Sequence, residues 1–188
     1  MARRAQAGRV DDHYVVRYLE RLPLGTAYPL VAERLAEIVT GVRARVERVT
    51  VPLGPGAVEI KERTPHVTLY VDGTGVGQPV VDLLAASGVR PIACYFTHGD
   101  RRTEEGRQVS IGKAWLVSRL QALLQTDRVH LPDSAEARQL AKELQDYEIR
   151  VDQDANDKYG AFKVGTHDDL VTALGLAVQP PRPRWTTY

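Results

Sequence analysis

The sequence predicts an α/β fold with a parallel section in its sheet. Three observations predict it. Short β-prone runs alternate with segments whose apolar residues recur at helical spacing, the pattern of strands joined by crossover helices. Two of the runs, HVTLYV at 66–71 and PIACYF at 91–96, are near-continuously apolar, as buried strands are. The chain has 188 residues, 43% hydrophobic and 26% charged, an ordinary mixture with enough apolar material for a core.

From the N-terminus, residues 1–13 are polar, contain Arg and Gly, and are expected to be loose. Tyr14 to Leu22 (YVVRYLERL) is rich in β-branched and aromatic residues and reads as a strand. Pro29 suits the first position of a helix, which Leu30, Val31, Leu35, Ile38, Val39, Val42 and Val46 carry to about Val46. Two β-prone runs around Gly54-Pro55-Gly56 make an extra hairpin near residues 48–60, with Pro52 favouring an edge position. The strand His66–Val71 runs into Asp72-Gly73-Thr74-Gly75-Val76-Gly77, and Pro79 opens a helix containing Val80, Val81, Leu83 and Leu84. After the strand Pro91–Phe96, residues 98–110 (HGDRRTEEGRQVS) are polar enough to predict a long surface loop.

A third helix aligns Trp115, Leu116, Leu120, Leu123 and Leu124. A short strand, Arg128–Leu131, leads to a fourth helix, where Asp133 and Glu136 have capping-box spacing. Tyr147–Val151 reads as a strand, Asp152–Lys158 as a polar loop and Thr166–Val178 as the last helix. The tail, 179–188, is Pro-rich and expected to be unfolded or partner-bound.

Composition excludes several functions. Lys plus Arg is 25 and Asp plus Glu 24, a net charge of +1, so overall charge does not drive binding to polyanions. One cysteine, Cys94, excludes a disulfide framework and a Cys-rich zinc site, and it suits a reducing compartment. Cys94 lies inside an apolar strand, a poor place for a nucleophile. No apolar run approaches the roughly 20 residues of a membrane span, and no apolar segment follows Arg3-Arg4 as in a secretory signal. No GxxxxGK[ST] occurs, and the dinucleotide pattern fails because the third glycine is Gly77, with Gln78 in the required place. His13, His66, His98 and His130 show no partner spacing and read as structural or surface residues.

Two places concentrate carboxylates. Asp72 ends a strand and precedes a glycine-rich turn, the position where open α/β sheets gather ligands; capping the next helix is its structural alternative. In Thr166-His167-Asp168-Asp169-Leu170-Val171, Thr166 and Asp169 have capping spacing, and acids favour a helix start. Capping needs one acid, however, and two adjacent acids before an apolar helix repel unless a cation neutralises them. Oxygen donors of this kind suit Mg²⁺ or Mn²⁺.

VDGTGVGQPVVDLL, then VSIGKAWLVSRLQALL, LAKELQDYEI and YGAFKVGTHDDLVTALGLA, resemble the C-terminal nuclease domain of phage large terminase subunits. YVVRYLERLPLGTAYP is similar to the strand and turn before that domain's first helix, so the resemblance spans roughly Tyr14 to Val178. Its most specific parts are HDDLV and the VDGTGVG turn. It implies an RNase H-like, RuvC-type mixed sheet flanked by helices over residues 14–178. It also implies a metal-dependent DNA endonuclease using two Mg²⁺ or Mn²⁺ ions. Asp72 and Asp168 would be metal ligands, Asp169 a third ligand or near neighbour, and His167 a residue behind them. Lys113 matches a lysine that recurs in the family after its variable loop, placed to contact phosphate or water. Arg101, Arg102 and Arg107 join it as candidate contacts to double-stranded DNA, gripped by its backbone; taken alone, each arginine reads as part of a solvated loop. The implied setting is the host-cell cytoplasm, and the implied partners include an ATPase-motor chain and other terminase or portal components.

The sequence also departs from the family. The first strand and its carboxylate have no counterpart in residues 1–13, so the expected domain is N-terminally incomplete. Three explanations compete: the downstream part of a divided or truncated gene, replacement of the acid by Asp11, Asp12 or Glu20, or a decayed nuclease. The family's ATPase motor has no counterpart either. The 48–60 hairpin either fills the vacant sheet position or decorates an edge. If nothing fills it, the strand bearing Asp72 has an unpaired edge, which predicts self-association or instability in isolation. Two other readings stand beside the endonuclease: a non-catalytic DNA-binding or assembly module with a degenerate nuclease fold, and a junction-resolvase-like enzyme.

Overall fold

The computed structural model describes residues 2–6, 9–54, 57–151, 157–160 and 168–180. In chain order the elements are β1 (Ala2–Gln6), β2 (Arg9–Val15), α1 (Tyr28–Arg43), β3 (Glu47–Gly54), β4 (Ala57–Arg63), β5 (Tyr70–Asp72) and α2 (Gln78–Ala86). They continue with β6 (Ile92–Thr97), β7 (Arg102–Glu105), β8 (Gln108–Gly112), α3 (Lys113–Gln125), β9 (Val129–His130), α4 (Ala135–Asp146), β10 (Glu148–Val151), β11 (Asp157–Gly160) and α5 (Asp169–Ala177). A single 3₁₀ turn, Gly75–Gly77, precedes α2. The class is mixed α/β, with both parallel and antiparallel pairings. No helix among the described residues is long and apolar enough to cross a membrane.

The chain divides into two compact units. One comprises Met1–Arg21, Phe96–Glu104 and Ser110–Tyr188; the other comprises Leu22–Tyr95 and Glu105–Val109. In the second unit, α1 and α2 bury Ala32, Val39, Val80, Leu84 and Val89, with Val67, Leu69 and Val71 packed against them. Pro29 stands in the first turn of α1, as its fixed φ favours. The helix stops at Arg43, short of Val46, which is 65% exposed and gains nothing from helical placement. In the four-stranded order β5-β6-β8-β7, β5 runs parallel to β6, with Asp72 opposite Cys94.

In the first unit, the core joins Leu120 and Leu123 of α3, Val129, Leu140 of α4, and Leu170, Val171, Leu174 and Val178 of the α5 region. Gly175 lets α5 approach α3, since a Cβ there would lie 2.5 Å from Leu116 Cδ2. Of the expected face of α3, Leu116, Leu120 and Leu123 are buried, together with Val117.

Several expectations are corrected. The N-terminal segment is not loose in its described part: β1 pairs antiparallel with β2, and β2 pairs parallel with β9. The cause is tertiary. Tyr14 N–H donates to Arg128 O at 2.8 Å, Val16 N–H to His130 O at 2.9 Å, and Arg128 Nε to Asp12 O at 2.8 Å. The strand expected over Tyr14–Leu22 therefore ends at Val15. His66–Leu69 is not strand; only Tyr70–Asp72 is, although Val67 and Leu69 still reach the core.

The long loop at 98–110 contains a hairpin, β7–β8, turning at Gly106 (φ 57°). Val109 and Ile111 are fully buried there, an alternation masked by the surrounding charges. Ser134, not Asp133, caps α4 by accepting the Ala137 N–H, while Asp133 pairs with Arg138 at 2.5 Å. His13 and His130, read from the sequence as structural or surface residues, stack with ring centroids 5.1 Å apart, a pairing that their sequence spacing does not announce. The hairpin near 48–60 forms as β3–β4, a two-stranded sheet of its own. Asp157 and Lys158, expected in a loop, belong to β11, paired with β10. The tail at 181–188 and residues 152–156 lie outside the described residues.

Candidate functional site

Asp72 is the last residue of β5, a parallel strand, and three glycines shape the turn that leads from it to α2. Gly73 donates its N–H to Cys94 O at 2.8 Å, tying the turn to β6. Gly75 has φ 59°, a left-handed conformation that glycine adopts without strain. Gly77 has ordinary helical angles, but a Cβ there would sit 1.9 Å from Asp72 O. It is glycine for room. This explains a third glycine one place earlier than the dinucleotide pattern requires. Asp72 Oδ1 accepts the Thr74 N–H at 2.8 Å, so the carboxylate closes a local turn and does not cap α2. Tyr95 Oη donates to Gln78 Oε1 at 2.6 Å, and Gln78 Nε2 to Asp82 Oδ1 at 2.8 Å, holding the first turn of α2.

Asp168 is the N-cap position of α5, yet its side chain makes no capping bond; its backbone carbonyl accepts the Thr172 N–H at 2.9 Å. A distant residue does the capping. Glu143, on α4 and 6% exposed, accepts the Leu170 N–H on Oε2 at 3.0 Å. Its Oε1 pairs with Arg21 Nη2, and Arg21 Nη1 reaches Asp169 Oδ2 at 2.6 Å. Arg21 thus bridges a buried carboxylate and one whose side chain is 69% exposed. Among the described residues its Nε is buried without a hydrogen-bond partner. An orphaned buried donor costs about 1–3 kcal/mol, so the two pairings at the guanidinium tip must offset it. Sequence reasoning misses Glu143 and Arg21, because 122 residues separate them. One signal could have found Glu143: it follows Ala137 and Leu140 at helical spacing, a charge on the buried face of α4.

The remaining candidates differ in how far they are engaged. Arg102 Nε donates to Gln179 Oε1 at 3.0 Å, its Nη2 pairs with Glu104 at 3.0 Å, and it lies over Trp115. Arg107 Nε donates to Pro91 O at 3.1 Å, bracing β6. Both therefore perform structural work. Lys113 begins α3, exposed, with Nζ 5.8 Å from the Phe96 ring centre. Arg101 is exposed, and its carbonyl accepts the Gly112 N–H at 2.7 Å. Gly112 must be glycine, since a Cβ would meet Gly99 O at 2.2 Å. Of the replacement acids, Asp12 and the side chain of Glu20 are described; Glu20 accepts from Tyr18 Oη at 2.9 Å. His167 and Thr166 lie outside the described residues.

The donor set suits a hard divalent cation in kind. Mg²⁺ is commonly held by one or two carboxylates plus water and substrate phosphate. Asp72 in one unit and Asp168 in the other are each a carboxylate of this kind, the first oriented by a backbone N–H and the second free of capping duty. Among the described residues no group of three or more His, Cys, Asp or Glu is arranged to hold a metal. Comparison of the chain with protein-family models, with curated proteins and with solved structures yields no match.

Proposed function

We propose that the chain is a metal-dependent DNA endonuclease domain of the terminase-nuclease kind, with an RNase H-like fold. The observation that carries this reading is the VDGTGVG turn. It ends a parallel strand in a carboxylate, and it is shaped by glycines required for room and for backbone angle. Asp72 and Asp168 would hold Mg²⁺ or Mn²⁺. When bound, such ions supply water activation and neutralise charge on the leaving oxygen of a phosphodiester. The Thr74 N–H fixes the Asp72 carboxylate, so less rotamer freedom is lost on engaging a cation. Lys113 and Arg101, both exposed, would contact the DNA backbone, which predicts little sequence specificity. Self-association, terminase partners and a host-cytoplasmic setting belong to the same proposal.

A second reading, a DNA-binding or assembly module that no longer cuts, is favoured by one observation: Asp169 is paired with Arg21. Relaxation of supercoiled plasmid in Mn²⁺ separates the two. The nuclease reading expects nicking by the wild-type chain and a loss of about 100-fold or more in Asp72→Asn and in Asp168→Asn. Equal cleavage by all three identifies a contaminant and overturns it. Retarded plasmid without nicking supports the second reading.

A further inference from the structure

We infer that Glu143 is a positioning residue for Asp168, acting through the first turn of α5 with Arg21 as its counter-charge. The inference deepens the proposed function and rests on the cation role of Asp168 stated there. Its basis is the geometry at the helix start. Asp168 does not cap its own helix, although Asp is among the residues best suited to do so. Glu143 does that work from another helix, accepting the Leu170 N–H at 3.0 Å. A carboxylate that is 6% exposed is costly to bury unless paired and hydrogen-bonded, and here both conditions are met. Arg21 supplies the charge and extends a second bond to Asp169 at 2.6 Å. One buried group therefore fixes the backbone at Leu170 directly and the side chain at Asp169 through Arg21. Asp168, one residue before, is left without capping duty. A cation ligand needs a carboxylate held by its surroundings yet not consumed by them, and carboxylates behind metal ligands commonly do the holding.

The Arg21–Asp169 contact is the weaker half. With Asp169 largely exposed it contributes little alone, whereas Glu143 is buried. Glu143 should therefore dominate. Binding of Mn²⁺ to the full chain, read by paramagnetic broadening of the α5 amides, tests this. Glu143→Ala is expected to raise the half-saturating Mn²⁺ concentration about tenfold or more. Glu143→Gln keeps an oxygen acceptor for Leu170 N–H and should restore most of the affinity. Ser134→Ala removes the cap of the same helix at its other end, without touching the bridge or the α5 core, and should leave the half-saturation unchanged. Equal half-saturation for wild type and Glu143→Ala, or an equal shift in Ser134→Ala, would overturn the inference alone. Absence of any Mn²⁺ effect on wild-type α5 would instead remove the cation role of Asp168, and with it the reading beneath.

Discussion

Asp72 and Asp168 are presented by two different kinds of construction. The turn after β5 is built from backbone: Gly75 for its left-handed φ, Gly77 for its close approach to Asp72 O, and a carboxylate bonded two residues on. The start of α5 is built from side chains brought from afar. Glu143 stands 27 residues from Leu170, and Arg21 stands 148 residues from Asp169. Local construction writes itself into consecutive sequence. Distant construction leaves only one acid among many.

The largest expected effect falls on the backbone-built site. Gly77→Ala places a methyl against Asp72 O, where neither partner is a flexible side-chain end. Unfolding in urea should show a loss of about 3 kcal/mol. A loss below ~1 kcal/mol would mean that the turn yields easily, and the contrast between the two regions would weaken. Glu143→Ala comes next. It strands the Leu170 N–H and leaves Arg21 with Asp169 in place of two carboxylates, for a loss of about 2–3 kcal/mol, reduced because Arg21 is 27% exposed. Gly75→Ala sharpens the distinction within the turn. There the added methyl has open space and only the left-handed φ resists, so about 1 kcal/mol is expected.

The sequence and the structure agree where the cause is local. The helices at Pro29 and Pro79, the buried strand at Cys94 and the hairpin around Gly54 follow from turn residues and periodicity, and all are present. The glycines around Asp72 mark that candidate carboxylate in the same way. Disagreement falls where partners are remote. No propensity announces that β2 will pair with β9 far along the chain, at Tyr14↔Val129, or that His13 stacks on His130. The charges of 98–110 hide the alternating Val109 and Ile111, because polarity averages over a segment whose two faces differ. At α4, Asp133 and Ser134 both have cap chemistry, and only backbone geometry decides between neighbours.

The smallest effects calibrate the larger ones. Ser134→Ala removes a conventional local cap and should cost about 1 kcal/mol, less than removing the remote cap Glu143. Arg138→Ala breaks an exposed pair with Asp133 and should cost no more than ~0.5 kcal/mol in the same urea series. If Ser134→Ala costs more than Glu143→Ala, the remote cap does not hold α5 as described.

The central claim is that both constructions serve divalent cations. Calorimetric titration of Mn²⁺ into the wild-type chain, Asp72→Asn and Asp168→Asn tests it most directly. The account predicts saturable binding to the wild type and weakening of at least about tenfold in each variant, with unfolding midpoints unchanged. Saturable binding that survives both substitutions at full affinity would contradict it.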